Sequence, residues 1–122
     1  MNKKRILIVE DEAIIALLTK NYLEKMGYIV VGSYSKAEDV LNNFESIEID
    51  LILMDIYLSG DIDGVEIARR IKEKKDIPII FLTANTDTAT FTKAKTIKPF
   101  GFLSKPFDYN SFITLVNEAL NN

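Results

Sequence analysis

The segment Asp-Leu-Ile-Leu-Met-Asp at positions 50–55 constrains the fold more than any other part of the chain. It is a short, almost unbroken apolar run that stops on the carboxylate of Asp55. The run is too short to cross a membrane, and its pattern is typical of a strand that is buried on both faces in a parallel sheet. Because ligands of open α/β sheets bind outside the carboxyl ends of the strands, Asp55 is the first candidate functional residue.

Three other apolar runs lead directly into polar side chains in the same way. They are 5–9 before Glu10 and Asp11, 78–82 before Thr83, and 101–104 before Lys105. If these strands are parallel neighbours, their carboxyl ends meet at one edge of the sheet. The sequence therefore predicts that acids, a hydroxyl group and an ammonium group converge there.

Apolar residues between these runs recur at the spacing of amphipathic helices. The segment after Asp11 predicts a helix to Met26, and Gly27 is placed to end it in a left-handed conformation. The stripe that we expect this helix to bury comprises Ile14, Ile15, Leu18, Tyr22 and Met26. Residues 28–32 are β-branched and aromatic, which predicts the second strand.

The later helices have their own signals. Ser35 and Glu38 have the spacing of a capping box, which predicts the start of the second helix. Asp108 is placed to cap the last helix. Residues 86–96 contain five threonines, which are poor helix formers, so we expect a short or mobile fourth helix. The inward residues of the other helices are predicted to be Ala37, Val40, Leu41 and Phe44, then Ile67, Ala68 and Ile71, and finally Phe112, Leu115, Val116 and Ala119.

Strand and helix patterns thus alternate five times along the 122 residues, with Pro78 opening the fourth strand. This alternation predicts an α/β fold in which a doubly wound parallel sheet carries helices on both faces. A chain of this length is expected to form a single domain over residues 1–122.

The composition excludes several kinds of chemistry. The chain has no cysteine, which rules out disulfides and thiol catalysis. It also has no histidine, the residue that most often serves as a metal ligand or general base. A net charge of −3 argues against direct nucleic-acid binding. The first apolar run is shorter than a signal peptide requires, and no run approaches the length of a membrane helix. We therefore expect a cytoplasmic protein without membrane insertion.

The residues at the strand ends suit phosphoryl transfer. Glu10, Asp11 and Asp55 would repel one another in a bare cleft, and Mg²⁺, which prefers oxygen ligands, would relieve that repulsion. Lys105 offers a fixed positive charge and Thr83 a hydroxyl donor, both suited to phosphoryl oxygens. Because an aspartate carboxylate is a known type of nucleophile, the set indicates phosphorylation of Asp55 with Mg²⁺ as cofactor.

Five motifs at the strand ends and loops, taken together and in order, are specific although each is weak alone. They are Glu10-Asp11, Asp55, Asp63-Gly64, Thr83-Ala84 and Lys105-Pro106-Phe107. In these motifs, and over essentially its whole length, the chain resembles the receiver domains of two-component response regulators, including the stand-alone chemotaxis type. The resemblance implies a flavodoxin-like fold of five strands and five helices with strand order 2-1-3-4-5.

The resemblance also implies a function for Asp55. It would accept a phosphoryl group from a sensor histidine kinase, a histidine phosphotransfer domain or a small phosphodonor. The domain would be a signalling switch that catalyses its own phosphorylation and dephosphorylation. The Mg²⁺ ligands would be Asp11, Asp55 and the main-chain carbonyl of Tyr57, with Glu10 acting mainly through water.

The resemblance further implies how the signal is passed on. Thr83 and Lys105 would bind the phosphoryl oxygens, and the Lys105-Pro106 bond would be cis. Phe102 occupies the place of the family's aromatic switch residue, which turns inward with Thr83 on phosphorylation. The face made by the fourth helix, the fifth strand and the fifth helix would then signal to an unknown downstream effector.

Three features depart from the commonest pattern of this family. One additional residue lies between Asp55 and Gly64, with Ser59-Gly60 in place of the usual proline. The switch aromatic is phenylalanine instead of tyrosine. Tyr57 and Asn85 occupy the positions that tune phosphate lifetime, and a bulky Tyr57 would hinder the attacking water and slow autodephosphorylation.

Two other functions are alternatives for an α/β domain of this kind. A small Mg²⁺-dependent phosphatase of the haloacid dehalogenase type also uses Asp, Thr and Lys, but carries its nucleophile in an Asp-x-Asp sequence after the first strand. Here the paired acids Glu10-Asp11 come first and Asp55 stands alone. A flavodoxin-like nucleotide binder would need Gly, Ser and backbone amides after the first strand to bind a phosphate. This chain has Glu10-Asp11 there, which disfavours that function. The sequence leaves open whether the receiver is free-standing or part of a longer chain.

Overall fold

Five parallel strands form the centre of the domain in the computed structural model, which describes residues 3–58, 62–83 and 88–121. The strands are β1 (Arg5–Val9), β2 (Ile29–Tyr34), β3 (Leu51–Asp55), β4 (Ile79–Thr83) and β5 (Gly101–Ser104). Their order is β2-β1-β3-β4-β5, and every neighbouring pair is parallel. The expected doubly wound α/β fold with strand order 2-1-3-4-5 is confirmed.

Helices cover both faces of the sheet. They are α1 (Ala13–Lys25), α2 (Ala37–Asn43), α3 (Gly64–Lys74), α4 (Thr88–Lys95) and α5 (Tyr109–Leu120), and a 3-10 turn, Phe44–Ser46, follows α2. Along β3, Ile52 and Met54 lie in the core with α2, α3 and α4, whereas Leu51 and Leu53 lie in the core with α1 and α5. Because both faces are covered, β3 and β4 are buried at every residue and lack polar alternation.

The buried side of α1 differs from the predicted stripe. Ile14 and Leu18 are 83% and 43% exposed, and the fully buried residues are Thr19 and Leu23. Thr19 tolerates burial because its hydroxyl donates a hydrogen bond of 2.7 Å to the carbonyl of Ile15. The prediction that Ile14 and Leu18 face the core was therefore wrong, since it counted apolar side chains and ignored a threonine whose hydroxyl is satisfied.

The connection from α1 to α2 confirms one predicted signal and contradicts another. Gly27 follows α1 with a φ of +93°, the left-handed conformation expected there. The predicted capping box was wrong, because β2 continues to Tyr34 and the N-cap residue of α2 is Lys36, which makes no side-chain capping bond. Ser35 therefore lies one position too early for its hydroxyl to cap the helix.

The remaining helices follow the sequence signals more closely. The predicted inward residues of α2, α3 and α5 are buried or packed against the core. Asp108 caps α5 by accepting a hydrogen bond of 3.1 Å from the Ser111 amide. The described part of α4 is eight residues long, as expected of a short helix, while 86 and 87 lie outside the described residues. None of the helices in the described ranges has the length and apolar character that a membrane span requires.

Candidate functional site

The last residues of β1, β3, β4 and β5 lie side by side at one edge of the sheet. Asp55 pairs with Leu82, and Thr83 pairs with Ser104. The ladder continues beyond the strands, because the Lys105 amide donates a hydrogen bond of 2.8 Å to the carbonyl of Thr83. The polar side chains that close these strands are therefore brought to the same edge.

Lys105 lies between two buried carboxylates. Its Nζ atom is 2.5 Å from Oε1 of Glu10 and 3.0 Å from Oδ2 of Asp55. The three side chains are 7%, 0% and 6% exposed respectively. Since little water reaches these charges, their mutual contacts and the cost of their burial dominate the electrostatics of the site.

Burial and neighbouring charges both shift the pKa values in this site. Burial raises the pKa of Glu10 to about 7, and Asp55 adds to the rise although Lys105 opposes it. Burial lowers the pKa of Lys105, but its contacts with Glu10 and Asp55 outweigh that effect and leave the pKa above its ordinary value. With the three carboxylates of Glu10, Asp11 and Asp55 near a single ammonium group, the site carries formal negative charge in excess.

Glu10, Asp11 and Asp55 together can hold a metal ion. One carboxylate oxygen of each lies within 4.8 Å of the other two. The buried Oε1 atom of Glu10 is near the Lys105 ammonium, yet no described residue gives it a well-aligned hydrogen bond. An all-oxygen donor set with excess negative charge suits Mg²⁺, so the residues present fit that ion. We call Glu10, Asp11, Asp55 and Lys105 the acid pocket.

The two other predicted site residues border this pocket. The Tyr57 amide donates a hydrogen bond of 3.0 Å to Oδ1 of Asp55, while the Tyr57 side chain is exposed. Thr83 is buried at the end of β4, one strand away from Asp55. The structure therefore places the backbone of Tyr57 and the end residue of β4 next to the acids.

The chain returns very close to Asp55 after the loop that follows β3. A Cβ atom on Gly64 would lie 2.1 Å from the carbonyl oxygen of Asp55, so only glycine fits at the start of α3. The Gly64 amide donates to the carbonyl of Ile56 at 2.9 Å, and Asp63 caps α3 through the Glu66 amide. The Asp63-Gly64 pair thus fixes the backbone behind Asp55.

Two parts of the predicted site lie outside the described residues. They are Ser59-Gly60, in the loop with the additional residue, and Ala84-Asn85 after β4. The expectations for the shape of that loop and for Asn85 as a lifetime position therefore stay predictions.

Aromatic rings connect β5 with α4 near the pocket. The ring centroid of Phe102 is 4.6 Å from that of Phe91 on α4 and 5.8 Å from that of Phe81 on β4. Phe102 is therefore packed inward against the core. The Lys105-Pro106 peptide bond that follows β5 is cis, as expected.

Two features beside the pocket were missed by reasoning from sequence. Glu12 brings another carboxylate to 4.0 Å from the Lys105 ammonium. Ile14, Leu17 and Leu18 form an exposed apolar surface on α1, which we call the α1 patch. Residues 14–18 contain four large apolar side chains in five positions, more than one buried stripe accommodates, so the sequence did carry a signal for the patch.

The fold and the site together define a class of protein. It is a small doubly wound α/β domain in which three acids and a lysine lie together at the carboxyl ends of the strands. The profile of the response regulator receiver domain matches residues 6–117. The chain belongs to this family, the receiver domains of two-component response regulators. The match gives no support to a phosphatase of the haloacid dehalogenase type.

Individual relatives agree with this assignment. The signal receiver domain of a modulated diguanylate cyclase from Desulfovibrio desulfuricans G20 has a TM-score of 0.92 and 35% identity, covering 98% of this chain and 95% of that one. The transcriptional regulatory protein ResD of Bacillus subtilis is 34% identical over 119 residues, which is 98% of this chain and 49% of ResD. The CAI-1 autoinducer sensor kinase/phosphatase CqsS of Vibrio cholerae is 36% identical over 119 residues, 94% of this chain and 17% of CqsS. The chain spans about half the length of the curated relatives that it matches, such as ResD.

Proposed function

We propose that this receiver domain accepts a phosphoryl group on Asp55, with Mg²⁺ bound in the acid pocket. The observation that carries the proposal is the buried Lys105 ammonium, which contacts Glu10 and Asp55 at the end of the sheet where Asp11 adds a further carboxylate. Phosphoryl transfer depends mainly on positioning and on stabilising the charge of the phosphoryl oxygens. A buried cation in contact with the acceptor carboxylate supplies both.

The acids would hold the metal ion. Asp11, Asp55 and the main-chain carbonyl of Tyr57 are the proposed ligands, and Glu10 would act mainly through water. Bound Mg²⁺ would neutralise the carboxylates and withdraw charge from the phosphoryl oxygens. The raised pKa of Glu10 supports this role, because burial and the nearby Asp55 make the charged carboxylate costly, and a bound cation would lower that cost.

In the proposed transfer, a carboxylate oxygen of Asp55 attacks the phosphorus atom of a phosphohistidine. A P–O bond forms as the P–N bond breaks, and the electron pair of the P–N bond leaves with the imidazole, which takes a proton from solvent. Lys105 would exchange its contact with Asp55 for one with a phosphoryl oxygen, and Thr83 would donate its hydroxyl hydrogen to another. Hydrolysis would return inorganic phosphate and the Asp55 carboxylate, slowly if the Tyr57 side chain hinders water.

The proposed output runs through the aromatic contacts near β5. Movement of Thr83 toward the phosphoryl group would open space behind β4, and Phe102 would readjust in that space. Because Phe102 contacts Phe91, such a change would reach α4 directly. This contact supports the face formed by α4, β5 and α5 as the surface that signals to an effector.

Receiver domains work with histidine kinases and with downstream effector domains. For this chain, the proposed donor is a sensor histidine kinase or a histidine phosphotransfer domain. The α1 patch supports a protein donor, because Ile14 and Leu17 are 83% and 60% exposed on the helix that follows Glu10 and Asp11. We propose that the donor packs on this patch while its phosphohistidine enters the pocket.

Intact mass spectrometry after incubation with Mg²⁺ and acetyl phosphate tests the proposal. The wild-type protein is expected to gain one phosphate, and Asp55→Asn is expected to gain none. Asp50→Asn is the matched control, because Asp50 precedes the same strand at its opposite end and accepts a hydrogen bond from the Arg5 amide. Uptake by Asp55→Asn at the wild-type level would show that Asp55 is not the acceptor. Loss of uptake on addition of EDTA is the corresponding expectation for Mg²⁺.

A further inference from the structure

Glu12 places an exposed carboxylate at the mouth of the acid pocket. Its Oε2 atom lies 4.0 Å from Nζ of Lys105, compared with 2.5 Å for Glu10 and 3.0 Å for Asp55. The Glu12 side chain is 62% exposed, whereas the other two carboxylates are almost completely buried. Glu12 therefore faces the solvent from which a phosphodonor arrives.

The backbone holds Glu12 in this place. Glu12 is the N-cap residue of α1, and its amide donates a hydrogen bond of 3.1 Å to Oε2 of Glu10. Its own side chain makes no capping hydrogen bond. The carboxylate is thus not needed to begin the helix, and it lies beside Lys105 at the entrance to the site.

We propose that Glu12 selects among phosphodonors by their charge. This inference rests on the phosphorylation of Asp55 proposed above. A donor that delivers its phosphoryl group to Asp55 must approach the Glu12 carboxylate, and its oxygens compete with that carboxylate for the Lys105 ammonium. Donors with less negative charge, such as a phosphorylated nitrogen that carries a proton, are favoured over fully anionic acyl phosphates.

The size of the effect follows from simple electrostatics. One unit of charge about 4 Å from another in water changes a rate by about fivefold. Because Glu12 is exposed, salt screens this interaction, and the Debye length falls from about 10 Å at 0.1 M to about 3 Å at 1 M. Selection by Glu12 is therefore expected at low ionic strength and is expected to fade at high ionic strength.

Two small phosphodonors provide the test. Acetyl phosphate carries about one unit more negative charge at neutral pH than phosphoramidate. The initial rate of phosphate gain is measured by intact mass with each donor, in Mg²⁺ and low salt, for the wild type, Glu12→Gln and Glu24→Gln. Glu24 is the matched control, because it is an exposed acid near the other end of α1 and its replacement changes the net charge equally.

Glu12→Gln is expected to raise the ratio of the acetyl phosphate rate to the phosphoramidate rate about fivefold. Glu24→Gln is expected to leave the ratio at the wild-type value, and 1 M salt is expected to remove the difference. An unchanged ratio in Glu12→Gln, or an equal rise in Glu24→Gln, would overturn the role of Glu12 while leaving Asp55 as the acceptor. Absence of phosphate on the wild type with both donors would overturn the proposed function itself.

Discussion

The charged residues of the acid pocket and those on the outer face of α3 make similar contacts in opposite environments. On α3, carboxylates and guanidinium groups pair one turn apart, and the pairs are Glu66 with Arg69, Glu66 with Arg70, and Arg69 with Glu73. We call these residues the α3 network. Their side chains are between 29% and 60% exposed, whereas Glu10, Asp55 and Lys105 are at most 7% exposed.

The pKa values of the two clusters move in opposite directions. Hydrogen bonds from Arg69 and Arg70 lower the pKa of Glu66 to about 2, whereas burial raises that of Glu10 to about 7 even beside Lys105. Water still solvates Glu66, so cationic neighbours only add to its stability as an anion. Glu10 has lost that water, so its excess negative charge must be offset by a proton or by a bound cation. The comparison shows that burial, more than pairing, sets the direction in which the pKa of a carboxylate moves in these two clusters.

Removal of the buried cation is expected to have the largest effect on stability. Lys105→Gln leaves Glu10 and Asp55 buried without a cation, so in EDTA it is expected to lower the free energy of unfolding by about 3 to 5 kcal/mol. Mg²⁺ is expected to restore part of the loss because it binds the same carboxylates. Urea denaturation with and without Mg²⁺ at neutral pH measures both effects.

The matched control for this substitution is Lys93→Gln. Lys93 makes an ion pair of 3.7 Å with Asp63, but both side chains are well exposed. The same chemical change at this exposed site is expected to alter the unfolding curve very little. If Lys105→Gln is no less stable than Lys93→Gln in EDTA, the charges of the pocket are not coupled as their contacts suggest.

The acid pocket is expected to make the metal-free protein less stable as the pH rises from about 4.5 to 7. Glu10 holds its proton up to a pKa of about 7 in the folded state, whereas in the unfolded chain it loses the proton near its ordinary pKa of 4.5. Folding therefore takes up a proton between these pH values. The stability that this proton adds to the folded state is lost as Glu10 deprotonates. The contribution of Glu10 to the free energy of unfolding is expected to fall by about 3 kcal/mol across this range.

Denaturation of the wild type and Glu10→Gln in EDTA, at several pH values across this range, isolates the contribution of Glu10. As the pH rises, the free energy of unfolding of the wild type is expected to fall relative to that of Glu10→Gln. A difference that stays constant would mean that Glu10 does not titrate as its burial implies. The variant Glu66→Gln serves as an exposed comparison, because the pKa of Glu66 lies below the tested range.

The strand order and the convergence of the pocket residues could be predicted from sequence. A strand that is buried on both faces has a continuous apolar sequence, as at residues 51–54. Parallel topology then brings together the polar residues that follow such strands. Glu10, Asp55 and Lys105 therefore met as expected. Their roles in phosphorylation, and those of Asp11, Tyr57 and Thr83, stay predictions, as does a single domain over 1–122.

Other features depended on distances between segments that sequence patterns do not give. The burial of Thr19 instead of Leu18 depended on which side of α1 packs against the rest of the domain, and the hydrogen bond from the Thr19 hydroxyl to the Ile15 carbonyl makes that burial tolerable. The start of α2 depended on how far β2 continues along β1, which moved Ser35 away from the capping position. The approach of Glu12 to Lys105 depended on how close the residue before α1 lies to the residue after β5. Each of these is a tertiary outcome that overrides a local signal.

The smallest expected effect is on the α3 network. Arg69→Gln breaks contacts with Glu66 and Glu73, yet it is expected to change the melting temperature by no more than about 3 °C, because water replaces the lost partners of exposed charges. Thermal unfolding followed by circular dichroism measures the change, and 0.5 M salt is expected to reduce it further. A loss of stability as large as that of Lys105→Gln would mean that solvent exposure does not decide how much the two clusters contribute to stability. Buried and exposed charges would then contribute equally to the stability of this domain.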